Sequence, residues 1–242
     1  MQNLEEFIIE KLKISKIETK YKPKTKQELI DLIIKEIETN GPNCPLNHID
    51  VSNITNMSYL FVGGMSFGSA NGHPVLSRFD GGISDWDVSN VTNMEDMFSH
   101  CKYTGNNGDI SKWDVSKVTN MGYMFADSKY NGDISDWDVS SVNYMAGMFY
   151  NSSKFNGDIS NWDVSNVRTM SCMFMKSKYN RDISDWDVSN VNRFDQMFRN
   201  SSFSGDISNW KINPKAKGGM DKMFMGSPLE NTPPVWYNTY SK

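Results

Sequence analysis

The chain reads as a repeat solenoid, leucine-rich-repeat-like, with about seven coils of 24–25 residues, short parallel strands, a helical N-terminal cap and an irregular C-terminal cap. Three observations predict it. Tryptophans recur at Trp86, Trp113, Trp137, Trp162, Trp186 and Trp210, at intervals of 27, 24, 25, 24 and 24 residues, a period that belongs to stacked repeats. One frame returns around each of them, as in GDISDWDVSSVNYMAGMF at 132–149 and GDISNWDVSNVRTMSCMF at 157–174. Apolar residues hold fixed offsets inside the frame: Ile134, Trp137, Val139, Val142, Met145, Met148 and Phe149 in one coil. Stacking the coils lines each of these up into a column, and the columns form a continuous core.

The elements follow in chain order. Residues 1–45 are the helical cap. An amphipathic segment at 4–12 packs beside a second helix, which opens on a T-x-x-E capping box, Thr25-Lys26-Gln27-Glu28. Leu29, Leu32, Ile33 and Ile37 line one face of that helix, and Asn40, Gly41 and Pro42 stop it. The solenoid occupies 46–225. Its first coil, HIDVSNITNMSYLF at 48–61, carries Ile49 in the tryptophan position. An insertion at about 62–82 then breaks the period, and insertions in repeat arrays map to surface loops.

In each later coil the Trp and the Val two residues on share a face, so D-W-D-V-S reads as a short strand with Asp and Ser outward. Met-x-x-Met-Phe reads as a helical or 3₁₀ turn returning the chain. Between coils, ADSKYNG, NSSKFNG and NSSFSG supply the Ser, Asn and Gly of turns. Residues 226–242, with Pro228, Pro233, Pro234, Trp236, Tyr237 and Tyr240, form an irregular lid over the last coil.

Composition limits the function. A chain of 242 residues that is 38% apolar and 22% charged is that of a soluble globular protein. A net charge of -4 and a pI near 5.4 exclude a basic face for nucleic acid. No segment is apolar enough to enter a membrane, and the start MQNLEEFIIEKLKISK lacks the apolar core of a signal peptide. The protein is cytoplasmic if Met1 is its native start. Cys44, Cys101 and Cys172 are too widely spaced for a CxxC motif and read as buried thiols. His48, His73 and His100 fall outside any HExxH motif, and neither a GxSxG elbow nor a phosphate-cradling loop occurs. Carboxylate pairs repeat in every coil, whereas a catalytic pair is singular. The chain is read as no enzyme.

Asp87, Asp114, Asp138, Asp163 and Asp187 fall in register, where like charges repel. Backbone N–H groups or the Ser hydroxyl of each D-V-S turn offset that repulsion. A second column, Asp109, Asp133, Asp158, Asp182 and Asp206, reads as turn residues. Calcium held between the columns, in a calcium-stabilised adhesin, is an alternative on ligand chemistry. The glycine-rich nonapeptide of calcium-binding β-rolls is absent, so no cofactor is expected.

Recognition falls to outward positions that vary. Asp85, Lys112, Asp136, Asn161, Asp185 and Asn209 precede the tryptophans, and Asp87, Asp114, Asp138, Asp163, Asp187 and Lys211 follow them. These residues line the concave strand face, the usual binding surface of a solenoid. The face is acidic with one basic notch and is expected to bind a protein or glycan that is basic or polyhydroxylated. His73 and Arg78 in the insertion are further candidates, although a lone His in a Gly-rich loop reads more simply as solvated. The expected protein is a monomeric, non-catalytic interaction or ligand-binding module. A structural, self-assembling surface repeat is the alternative.

The full frame, Ile-x-x-Trp-x-Val-x-x-Val-x-x-Met-x-x-Met-Phe, resembles the bacterial BspA-type leucine-rich repeat, with Trp and Met in leucine positions. FNGDISNWDVSNV at 155–167, followed by Met-x-x-Met-Phe, is similar to the repeat of mycoplasma and bacterial BspA-like surface proteins, a domain of unknown function. The similarity covers about 49–224. It implies a leucine-rich-repeat-like solenoid, a cell-surface or secreted location and binding or adhesive roles, and it implies no catalytic residue.

Overall fold

The computed structural model describes residues 21–64 and 73–241. Backbone hydrogen bonds between residues three apart shape each coil. In one, Trp137 N–H donates to the Ile134 carbonyl at 3.3 Å, Val142 to Val139 at 2.9 Å and Met148 to Met145 at 3.3 Å. The same turns recur in six coils, at 46–63, 83–100, 110–127, 134–151, 159–176 and 183–200, and the first and last of these turns in a seventh at 207–226; we number the coils 1 to 7.

The Met-x-x-Met-Phe stretch joins one coil to the next. The N–H groups of Met94, Asp96, Phe98 and His100 donate to the carbonyls of Asn120, Gly122, Met124 and Ala126, at 2.9, 2.8, 2.9 and 2.9 Å. Four such bonds recur at each of the six junctions. The N–H groups in between close turns within the coil, as Met97 does on Met94 and Cys101 on Phe98. This alternation places left-handed residues at two positions in every tryptophan coil, Asp96 and His100 in coil 2 (both φ 53°), Tyr123 and Asp127 in coil 3, Cys172 and Lys176 in coil 5.

The expected leucine-rich-repeat solenoid with parallel strands is not what the chain forms. Among the described residues there is no sheet. Single parallel bridges link Asn56 to Asn93, Asn93 to Asn120, Asn120 to Tyr144, Tyr144 to Thr169 and Thr169 to Arg193, and another joins Tyr21 to Ile49. The coil-to-coil bridges fall just before the first Met of each frame and not at D-W-D-V-S. The reason is a competition for backbone groups. The Ile carbonyl before each Trp and the Val carbonyl after it accept turn hydrogen bonds, so D-W-D-V-S has no run of free groups for a strand ladder. Met-x-x-Met-Phe is likewise a chain of turns rather than a helical or 3₁₀ turn. Short 3₁₀ turns occur instead at Leu76–Arg78 in the insertion and at Pro214–Ala216 in coil 7.

The columns inferred from the frame are buried, the tryptophans at 3–4% exposure. Phe rings stack along the array, with centroids 5.6 Å apart for Phe98–Phe125 and 5.7 Å for Phe149–Phe174. A second aromatic column, Phe79, Tyr103, Tyr130, Phe155, Tyr179 and Phe203, is just as buried. It comes from the segments read as polar turns. Their Ser, Asn and Gly do turn the chain, but the aromatic residue points into the core. A buried aromatic of about 200 Å² contributes roughly 5 kcal/mol of gross transfer free energy, enough to dominate its segment.

The helix after the capping box is α1, Lys26–Asn40. Thr25 Oγ1 accepts the Glu28 N–H at 3.1 Å, and the Glu28 carboxylate reaches back to the Lys24 N–H at 2.7 Å. Gly41, at φ 86°, closes the helix through an N–H bond to the Ile37 carbonyl. Leu29, Ile33 and Ile37 join the core at the coil 1 end, and Leu32 is half-buried. The segment at 4–12 lies outside the described residues. At the other end the lid is not wholly irregular: Val235–Tyr240 forms a short helix, α2, started by Pro234.

Candidate interaction face

The residues flanking the tryptophans are placed by the indoles. Each Trp Nε1 donates to a carbonyl of the preceding coil, Trp86 to Leu46 at 2.9 Å and the later ones to Ile, as Trp137 to Ile110 at 3.0 Å and Trp162 to Ile134 at 3.0 Å. With the ring held inside, its two neighbours must project outward. All twelve predicted residues do so: Asp85, Asp87, Lys112, Asp114, Asp136, Asp138, Asn161, Asp163, Asp185, Asp187, Asn209 and Lys211 are exposed. They lie on turn backbone and not on strands, so the expected strand face is a face of turns.

The carboxylates divide into two kinds. Those after Trp accept the N–H of the Ser two residues on, at 3.1 Å for Asp87 and Asp114 and 3.0 Å for Asp138, Asp163 and Asp187. The Ser89 and Ser116 hydroxyls add a bond of 2.6 Å each to Asp87 and Asp114. Asp109, Asp133, Asp158, Asp182 and Asp206 make the same turn with the Ser of D-I-S, at 2.8–3.0 Å. Such local bonds favour the ionised form. The Ser116 hydroxyl and N–H hold Asp114 below the usual carboxylate range, and the Ser189 hydroxyl and N–H do so for Asp187. The Ser N–H leads and the hydroxyl follows for Asp133, Asp158, Asp182 and Asp206.

The second kind precedes Trp. Among the described residues, the side chains of Lys112, Asp136, Asn161, Asp185 and Asn209 make no hydrogen bond to the chain, nor does Lys211 after the last Trp. Between coils 6 and 7 these positions meet in a hollow of ≈ 490 Å³ lined by Ser184, Asp185, Trp186, Asp187, Ser189, Asn209 and Lys211. The sequence marked four of the seven as site residues and did not foresee a hollow.

His73 and Arg78 lie apart in the insertion. His73 is half-buried and accepts the Val75 N–H on Nδ1 at 3.3 Å, and Arg78 is exposed at the end of its 3₁₀ turn. No hydrogen bond or ion pair joins either to the twelve among the described residues. Leu76 and Phe79 anchor this part of the insertion in the core. The three cysteines are free; burial pushes the Cys101 thiol up to about 12. Among the described residues no group of three or more His, Cys, Asp or Glu side chains converges on a metal-sized position, and no helix is long and apolar enough to cross a membrane.

Shared inner columns and divergent outer positions define a repeat protein built from stacked turns. The chain belongs to the family described as Mycoplasma protein of unknown function, DUF285, which matches it in three overlapping stretches, 37–132, 71–178 and 128–236. No curated protein and no solved structure is similar enough to count as a match.

Proposed function

We propose that this protein is a non-catalytic interaction module, working as a monomer without a cofactor, that binds a glycan or a basic protein through the face flanking the tryptophans. The hollow between coils 6 and 7 carries the reading. It gathers two carboxylates, two hydroxyls, an amide and an ammonium, a mixture of donors and acceptors suited to vicinal hydroxyls. Along the rest of the face, exposed carboxylates flanking the tryptophans present a negative surface to a basic partner.

The resemblance to BspA-like surface proteins supports an adhesive role at the cell surface or after secretion. Both ends of the array are occupied, by α1 at coil 1 and by Trp236 of α2 at coil 7, which favours a discrete monomer over open-ended assembly. The test is a glycan array probed with the intact chain and with an Asp185→Ala/Asn209→Ala/Lys211→Ala variant. These side chains hold no hydrogen bonds in the fold, so the melting temperature should stay unchanged while glycan retention is lost. Retention of the same glycans by the variant removes the hollow as the site.

A further inference from the structure

A different surface lies on the ladder that joins the coils. The two residues inside Met-x-x-Met change from coil to coil: Ser58-Tyr59, Glu95-Asp96, Gly122-Tyr123, Ala146-Gly147, Ser171-Cys172. The second of each pair has positive φ, 58° at Tyr59 and 54° at Tyr123, and the flanking Met and Phe turn inward. Over coils 1 to 4 this surface brings Tyr59 and Tyr144 near the carboxylates of Glu95 and Asp96, and Tyr123 near that of Asp96.

Glycines seat the rings. Tyr144 lies against Gly122, where a Cβ would come within 2.5 Å of the ring, and Tyr123 lies against Gly147, where a Cβ would come within 2.2 Å. Asp96 is buried at 2% exposure, while Tyr59, Glu95, Tyr123 and Tyr144 are half-exposed. Burial first, then the charges of Glu95 and Asp96, push the Tyr59 and Tyr144 phenols up. The chain itself shows what such rings attract. Lys26 Nζ stands 5.8 Å from the Tyr59 centroid, and Lys176 Nζ stands 5.8 Å from that of Tyr150 farther along the ladder. Both lie within cation–π range.

We propose that this tyrosine surface is a second interaction site, which takes a lysine or arginine side chain of a protein partner over the Tyr123 and Tyr144 rings with the Glu95 carboxylate as counter-charge. It shares no residue with the tryptophan-flanking face and stands or falls without it. Aromatic faces and carboxylates together select a cation.

The test titrates the ¹⁵N-labelled full chain with an acetylated tetra-arginine peptide, using the tetra-citrulline peptide as the uncharged control. The arginine peptide is expected to shift the amides of Gly122, Ala146 and Gly147, and the citrulline peptide to leave them in place. Tyr144→Leu and, independently, Glu95→Gln should each weaken binding about two- to fivefold. Glu95→Gln keeps the side chain's shape, so its amide spectrum stays folded. Absence of shifts at these amides, an equal response to citrulline, or shifts confined to 85–87, 136–138 and 185–211 would each overturn the proposal. The last pattern would assign basic ligands to the tryptophan-flanking face.

Discussion

Asp50 shows how the aspartates serve the fold. The Lys22 ammonium lies 2.8 Å from its Oδ2, and the Ser52 N–H donates to its Oδ1 at 3.0 Å. Lys22 first and Ser52 second pull its carboxyl down to about 2, against an ordinary value of 3.8. A carboxyl depressed in the folded state stabilises fully above its unfolded value, and that contribution disappears as pH falls through the folded value. The melting temperature should therefore hold from neutrality to about pH 4 and fall between pH 4 and 2, with Asp114, Asp133, Asp158, Asp182, Asp187 and Asp206, also held below the usual range, acting in the same direction. Asp50→Asn should flatten part of that slope; a melting temperature independent of pH down to 2 contradicts it. The aspartate turns were legible, because Asp-x-Ser is itself a local hydrogen-bonding pattern. The left-handed positions were not. Tyr123, Cys172 and Lys176 carry no mark of positive φ, since side chains other than Gly, Asn and Asp rarely adopt it. Only the shared ladder imposes the conformation on them.

Among the elements, α1 was readable because a helix start is encoded locally by Thr25 and Glu28 and its core face by Leu29, Ile33 and Ile37. The coil was misread because D-W-D-V-S has the period of a strand while its carbonyls close turns. The spacing of three in Ile-x-x-Trp, Val-x-x-Val and Met-x-x-Met was the better guide, since each pair is one turn. The second aromatic column also left a signal. Tyr130, Phe155, Tyr179 and Phe203 each stand seven residues before a Trp, a regularity hidden by the polar residues around them. Phe155 is fully buried, 4.2 Å from the Phe149 ring centroid and 6.2 Å from that of Tyr179. Phe155→Ala should cost about 3–5 kcal/mol in chemical denaturation. A turn residue would tolerate the change, so a loss under about 1 kcal/mol returns the segment to the loop reading.

Across the whole molecule the four Met-x-x-Met-Phe bonds at each junction run from the N–H of one coil to the carbonyl of the next, and others run back, as from Thr119 N–H to the Thr92 carbonyl at 2.9 Å and from Arg168 N–H to that of Asn143 at 2.8 Å, so each coil depends on its neighbours and the last one depends on the lid. Trp236 shows how the lid works. Its Nε1 donates to the Ile207 carbonyl at 2.9 Å, and its ring stacks on Trp210 at 6.2 Å and 15°, the contacts a tryptophan of an eighth coil would make. The final rung of the tryptophan column thus comes from α2 and not from a repeat; Trp236 stands 26 residues after Trp210, in keeping with the period, although no frame residues surround it. Nearest-neighbour coupling makes its loss a local event. Trp236→Ala should cost up to about 3 kcal/mol and strip hydrogen-exchange protection from the amides of Gln196, Phe198 and Asn200, which bond to coil 7. Protection at Asp96 and Phe98, which bond coil 2 to coil 3, should stay at its original level. The hollow between coils 6 and 7 spans the loosened junction, so the same variant should lose glycan retention while the tyrosine surface over coils 1 to 4 keeps its response to arginine peptide. A uniform fall in protection from coil 1 to coil 7 would mean that the array opens as one unit, and that damage at one end reaches both surfaces.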